Sequence, residues 1–267
     1  MSSRTKTTVT TLHNMKQDGE KITTLTAYDA SFSQVIDSQK IDVMLVGDSL
    51  GMTIQGHETT VPVSVDDIIY HAKAVASRCK YSLLMVDLPF MSYTSPEMAL
   101  RNTARIMQEG NAHMVKLEGG APQIETVSQL THHGVPVCAH LGLQPQSVHK
   151  LGGYRVQGRS DNDGQQMLDD ALALQNAGAD ALVLECVPVD LANKITAELN
   201  IPTIGIGAGA GCDGQVLVLQ DLLGITPRAP KFSKDFMLDS GSIAGAIAAY
   251  RDAVKDSSFP AEEHCFL

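Results

Sequence analysis

Basic residues are in deficit: 20 Lys and Arg stand against 30 Asp and Glu, for a formal net charge of −10 and a pI near 5.3. A general affinity for nucleic acid or an anionic membrane needs a basic face to neutralise phosphates, so neither partner is expected. Long hydrophobic runs are absent too. The apolar stretches are strand-sized and fall short of the roughly 18 residues of a membrane span. The N-terminal "MSSRTKTTVTTLHNMKQDGEK" has no apolar core of a secretory signal. The five cysteines, Cys79, Cys138, Cys186, Cys212 and Cys265, contain no C-x-x-C pair. They read as reduced packing residues, not as a zinc site or a disulfide framework. The expected location is the cytoplasm.

Linkers and low-complexity tracts are lacking as well, so the 267 residues, 43% of them hydrophobic, read as one domain over 1–267. Continuous apolar runs recur near 22–27, 43–47, 82–87, 113–117, 136–140, 181–185, 202–206 and 216–225. Runs without polar alternation suit strands buried on both faces. Segments of helical period lie between most of them. In "SPEMALRNTARIMQEG", Ser95 can cap, Pro96 sits at the first helical position and Gly110 can end the helix. "DGQQMLDDALALQNAGAD" repeats the scheme with Gly178 as the stop. Eight strand–helix units predict a (β/α)8 TIM barrel, with a doubly wound open sheet as the alternative.

Four of the runs end in an acid: "DVMLVGDSLG" in Asp48, "LLMVDLPF" in Asp87, "HMVKLEGG" in Glu118 and "ALVLECVP" in Glu185. A lone acid after a strand is commonly a cap or a surface residue. In a parallel barrel, however, all four would gather on the C-terminal rim, where barrel enzymes place their chemistry. Crowded carboxylates repel unless a cation sits among them. Without a Cys/His ligand cluster or an H-E-x-x-H motif, the donors favour Mg²⁺ over zinc.

Lys116 lies two residues before Glu118, so both side chains point one way, and a lysine inside an apolar strand needs a partner. That partner is either the neighbouring acids or a substrate carboxylate. Ser49 could bind a substrate oxygen or mark an ordinary turn. His140, ending "VPVCAHLG", could polarise a carbonyl, support the water shell of a metal, or be structural. His132 and His133 read as surface residues. "IGIGAGAGCDG" at 204–214 lacks the βαβ context of a dinucleotide site and reads as a tight strand-to-loop turn. "LGGYRVQGRS" at 151–160, with Tyr154, Arg155 and Arg159, is either a lid over the rim or an exposed loop.

Taken together, "LTAYD", "MLVGDSLGMTIQGHETTVPV", "DLPFMSY", "MVKLEGG", "PVCAHLGLQPQSV", "GGYRVQGR", "LVLECVP", "IGIGAGAGCDGQ" and "FPAEEHCF" resemble the ketopantoate hydroxymethyltransferase family, in order, from about residue 7 to the C-terminus. The resemblance implies a barrel of the phosphoenolpyruvate/isocitrate lyase type, assembled as a homodecamer. It implies transfer of a one-carbon unit from 5,10-methylenetetrahydrofolate to 3-methyl-2-oxobutanoate through an enolate supported by Mg²⁺, giving 2-dehydropantoate for pantothenate and coenzyme A. Asp48 and Asp87 would be metal and substrate-site residues, with Glu118 joining the metal shell directly or through water. Ser49, Lys116 and His140 would contact the 2-oxo acid, Lys116 through its carboxylate. Glu185, partly desolvated by its apolar strand, would be the general base. Two rivals remain: a lyase of the same superfamily, whose typical "KKCGH"-like loop is missing here, and a non-catalytic barrel that only binds a ligand.

Overall fold

The computed structural model describes residues 5–266; residues 1–4 and 267, which the expected domain includes, lie outside the described residues. Eight parallel strands close into a barrel in sequence order: β1 (Ile22–Thr26), β2 (Val43–Val46), β3 (Leu83–Asp87), β4 (Met114–Glu118), β5 (Val137–Gly142), β6 (Ala181–Glu185), β7 (Thr203–Ile206) and β8 (Gly214–Leu217). β1 pairs with β8 to complete the ring. The open-sheet alternative is thereby excluded.

Alternation along each strand divides the apolar residues into two layers. One set, including Ile22, Val43, Leu45, Leu83, Met85, Met114, Cys138, Val183, Ile204 and Val216, fills the inside of the barrel. Leu12 and Met15 join that set from the helix Val9–Asp18, which plugs the N-terminal end. The other set, including Met44, Val86, Val115, Leu117, Leu182 and Leu184, packs outward beneath the helices. Following the inward parity up β3, β4, β5 and β6 leads to Asp87, Lys116, Glu118, His140 and Glu185.

The helix ends follow the local chemistry read from the chain. Ser95 caps Pro96–Gly110 by accepting the Met98 N–H, and Ser160 caps Asp161–Asn176 by accepting that of Asp163. Gly178 adopts φ +102° where the second helix turns into β6. Two details differ from expectation. The last apolar run, 216–225, is part strand and part helix: β8 starts two residues earlier, and Leu219–Leu222 is helical. Apolarity alone cannot separate a buried strand from a buried helical turn. The unit after β7 lacks a helix, because the glycine-rich stretch connects β7 to β8 through a loop alone, consistent with its reading as a tight turn.

None of the five cysteines is joined in a disulfide, and four of them, Cys138, Cys186, Cys212 and Cys265, are buried. Among the described residues no helix is long and apolar enough to cross a membrane.

Candidate active site

The C-terminal rim encloses a cavity of about 810 Å³. Its floor carries Asp48, Asp87, Lys116, Glu118, His140 and Glu185, so every charged or imidazole residue singled out at the strand ends lines one chamber, together with Ser49. Toward solvent the chamber widens between Met52, His57, Tyr154, Ile225, Arg228 and Phe232.

Register explains how these groups meet. Asp87 and Lys116 are Cα partners on β3 and β4, and Lys116 Nζ lies 2.8 Å from Asp87 Oδ1, which accepts no hydrogen bond from another of the described residues. Glu118 and His140 are likewise partners on β4 and β5. The imidazole sits between two acids, with Nδ1 3.6 Å from Glu118 Oε1 and Nε2 3.4 Å from Glu185 Oε2, and among the described residues neither nitrogen has a partner of hydrogen-bond geometry. Glu185 is only half-buried. The chain leaves β6 immediately after it through Cys186, a non-glycine residue at φ 50°.

Asp48 comes from the turn after β2, "VGDSLG". A Cβ on Gly47 would lie 3.0 Å from Ser49 Oγ and 3.3 Å from Asp87 Oδ2, so glycine lets the turn close over the acids. The Asp48 backbone N–H donates to Asp87 Oδ2 at 3.1 Å. Ser49 Oγ lies 2.7 Å from the hydroxyl of Tyr28, whose pKa burial pushes up to about 12.

The electrostatics are those of four acids around one ammonium. Burial and then the Asp87 charge push Asp48 up to about 7. Burial and then Asp48 hold Glu118 well above the carboxylate range. Burial works against the charge on Lys116, but Asp87, Glu118 and Asp48 outweigh it and raise its pKa. Burial, then the Lys116 charge, lower His140 and favour neutral imidazole. A buried carboxylate held protonated for want of a counter-charge is what an added cation relieves.

The donors suit a hard divalent cation, and Mg²⁺ characteristically takes one or two carboxylates and completes its octahedron with substrate and water. Among the described residues no group of three His, Cys, Asp or Glu side chains is placed to hold a metal ion, so any such cation would rest on fewer protein ligands and on substrate and water. Glu118 Oε2 already accepts the Gln146 backbone N–H at 3.1 Å.

Sequence reasoning missed several contributors. Gln146 is buried behind the rim; its Nε2 donates to Asp48 Oδ2 at 2.8 Å and to the Leu88 carbonyl at 3.0 Å, while its Oε1 accepts the Tyr93 hydroxyl at 2.6 Å. Tyr28 and Tyr93 were not singled out either. Of the loop 151–160, Tyr154 lines the mouth and its hydroxyl donates to Met52 Sδ at 3.4 Å; Arg155 and Arg159 are exposed. His132 and His133 are exposed, as expected.

Acids at the opposite end of the barrel give the contrast. Asp42, Asp180 and Asp213 accept the backbone N–H of Thr23, Val137 and Thr203, respectively, and so are absorbed into strand pairing.

A closed parallel barrel with its acids on the C-terminal rim defines the class, and solved structures agree on the fold. 2,3-Dimethylmalate lyase, a PEP mutase/isocitrate lyase superfamily member, aligns at TM-score 0.57 and 14% identity over 78% of this chain and 77% of its own. Phosphoenolpyruvate phosphomutase from Streptomyces platensis subsp. rosaceus aligns at TM-score 0.62 and 12% identity over 81% and 83%. The profile of the ketopantoate hydroxymethyltransferase family matches residues 6–262, and the chain belongs to that family. It is 56% identical over 265 residues to the 3-methyl-2-oxobutanoate hydroxymethyltransferase of Alkalilimnicola ehrlichii, covering 99% of this chain and 96% of that one. To the Thiobacillus denitrificans protein of the same name it is 57% identical over 260 residues, covering 97% and 99%.

Proposed function

We propose that this chain is a transferase that moves a hydroxymethyl group from 5,10-methylenetetrahydrofolate to 3-methyl-2-oxobutanoate, forming 2-dehydropantoate for pantothenate and coenzyme A synthesis. The observation that carries the reading is the rim itself: four carboxylates and a neutral imidazole around one buried lysine, in a chain of this family throughout. A cytoplasmic homodecamer of single-domain chains spanning 1–267 belongs to the same reading.

In this reading the C3 proton of the 2-oxo acid goes to Glu185, whose half-buried position keeps it open to the chamber and next to His140. His140, uncharged through burial and the Lys116 charge, faces the substrate without adding positive charge beside the acids. Lys116 offsets the substrate carboxylate, and Ser49, held by Tyr28, orients the oxo group. Asp48 and Asp87 would hold Mg²⁺, with Glu118 reached through water; when bound, the ion supplies Lewis-acid polarisation of the ketone. Conversion of the methylene unit to a hydroxymethyl group consumes one water. The wide mouth leaves space for the folate donor above the small acid.

The test is proton NMR of 3-methyl-2-oxobutanoate in D₂O with enzyme and Mg²⁺, followed by turnover with 5,10-methylenetetrahydrofolate. Loss of the C3 signal together with formation of 2-dehydropantoate is expected. No product with the full set of substrates would overturn the reading.

A further inference from the structure

We infer that Gln146 is a positioning residue: its side chain pins one carboxylate of the rim and its backbone another, with Tyr93 fixing the direction of the amide. This rests on the reading of the chamber given above.

The geometry leaves the amide one orientation. The Leu88 carbonyl can only accept, so the NH₂ end must face it, at 3.0 Å, and the same nitrogen then donates to Asp48 Oδ2 at 2.8 Å. The Tyr93 hydroxyl donates to the remaining Oε1 at 2.6 Å. Tyr93 is tied in turn to β4, since its oxygen accepts the Glu118 backbone N–H at 3.3 Å. The Gln146 backbone N–H reaches Glu118 Oε2 at 3.1 Å. Gln146 is 4% exposed, so all of these bonds lie in a dry setting where they are hard to exchange for water.

The consequence concerns direction. The amide bond to Asp48 Oδ2 favours one rotation of that carboxylate about χ2 over the others. Without the amide the carboxylate can rotate about χ2 toward Asp87, whose Oδ2 already accepts the Asp48 N–H. Outer partners that orient ligating carboxylates characteristically contribute about 10–100-fold to metal affinity or activity. Asp48 comes from the turn after β2 and Glu118 from the end of β4, and Gln146 hydrogen-bonds both.

The test compares the full-length wild type with Gln146→Leu, which keeps the bulk and the backbone bond to Glu118 but removes the amide, and with Tyr93→Phe, which keeps the amide and releases its Oε1. Three quantities are read: Mn²⁺ affinity by electron paramagnetic resonance without substrate, the C3 exchange rate, and KM for the 2-oxo acid. We expect Gln146→Leu to weaken Mn²⁺ binding about 10-fold or more and to slow exchange by about 10–100-fold, with a smaller change in KM. Tyr93→Phe should move the same two quantities less. Thermal unfolding identifies the folded variants; if Gln146→Leu does not fold, Tyr93→Phe decides. Folded variants that match the wild type in Mn²⁺ affinity and exchange would overturn the assignment of Gln146. A wild type with neither exchange nor turnover would instead overturn the functional reading beneath it.

Discussion

Lys116 Nζ lies 2.8 Å from Asp87 Oδ1, between side chains only 6% and 3% exposed, and these two residues face each other in register across β3 and β4. The pair is the electrostatic centre of the chamber, because the same ammonium also acts on Asp48, Glu118 and His140. Removing one partner of a buried pair leaves the other uncompensated, at a cost of about 3–5 kcal/mol. Lys116→Met should therefore lose about that much unfolding free energy at pH 7. Urea unfolding at pH 7 measures the loss; a folded variant as stable as the wild type would contradict the account.

Glu185 is the least buried of the four rim acids, and its Oε2 is 3.4 Å from His140 Nε2. A general base contributes about 10²–10⁴-fold to a proton transfer. Glu185→Gln should slow C3 exchange by an amount in that range while binding of the 2-oxo acid, followed by calorimetry, changes little. Exchange at the wild-type rate would transfer the role to another group.

Position along the strand separates acids that serve stability from those that serve chemistry. Asp213 accepts from Lys16 Nζ at 2.7 Å and from the Thr203 N–H at 2.8 Å, at the end of the barrel away from the cavity. Asp213→Asn should cost about 1–3 kcal/mol of stability through the weakened acceptor. The kinetics of the folded fraction should be unchanged. Altered kcat or KM with intact stability would mean that the two ends of the barrel are not separate in this way.

The strands and rim acids were legible because each depends on a few neighbouring residues: a doubly buried strand reads as an apolar run, and parity then fixes which terminal side chain faces inward. Lys116 and Glu118 were paired on that basis. Gln146 was not, because its bond to Asp48 spans 98 positions and nothing local distinguishes it from an exposed glutamine in a loop. Tyr28 and Tyr93 escaped notice for the same reason. The β8 boundary was misjudged because buried Gln215 interrupts the apolar signal inside the strand, whereas Leu219 and Leu222 extend it into a helix.

His113, just before β4, accepts the Leu84 backbone N–H on Nδ1 at 2.9 Å, and burial followed by the Lys6 charge lowers its pKa. The folded state thus binds this proton less readily than the unfolded chain does. Its contribution to stability is complete above the unfolded value of about 6.5 and is lost as pH falls below that toward the depressed folded value. Asparagine can offer an acceptor to the same N–H without titrating. His113→Asn should therefore gain on the wild type as pH drops from 7 to 5, seen as converging or crossing urea midpoints. Parallel pH profiles would exclude His113 as the source of the slope.

Gly51, in the turn that presents Asp48 and Ser49, has no room for a methyl group: a Cβ there would lie 2.6 Å from Val63 Cγ2 and 3.3 Å from the Thr59 carbonyl oxygen. Val63 is itself buried at 3% exposure, so it has little freedom to withdraw. Overpacking of this kind costs about 1–3 kcal/mol. Gly51→Ala should show that loss, together with reduced activity as the turn shifts the acids beside it. Since one side chain makes the closest clash, adding Val63→Ala should restore part of both. Contacting residues typically couple by about 0.5–3 kcal/mol, which a double-mutant cycle on unfolding free energy resolves. Strict additivity would place the origin of the Gly51 requirement in the backbone, at Thr59, instead of in the packing against Val63.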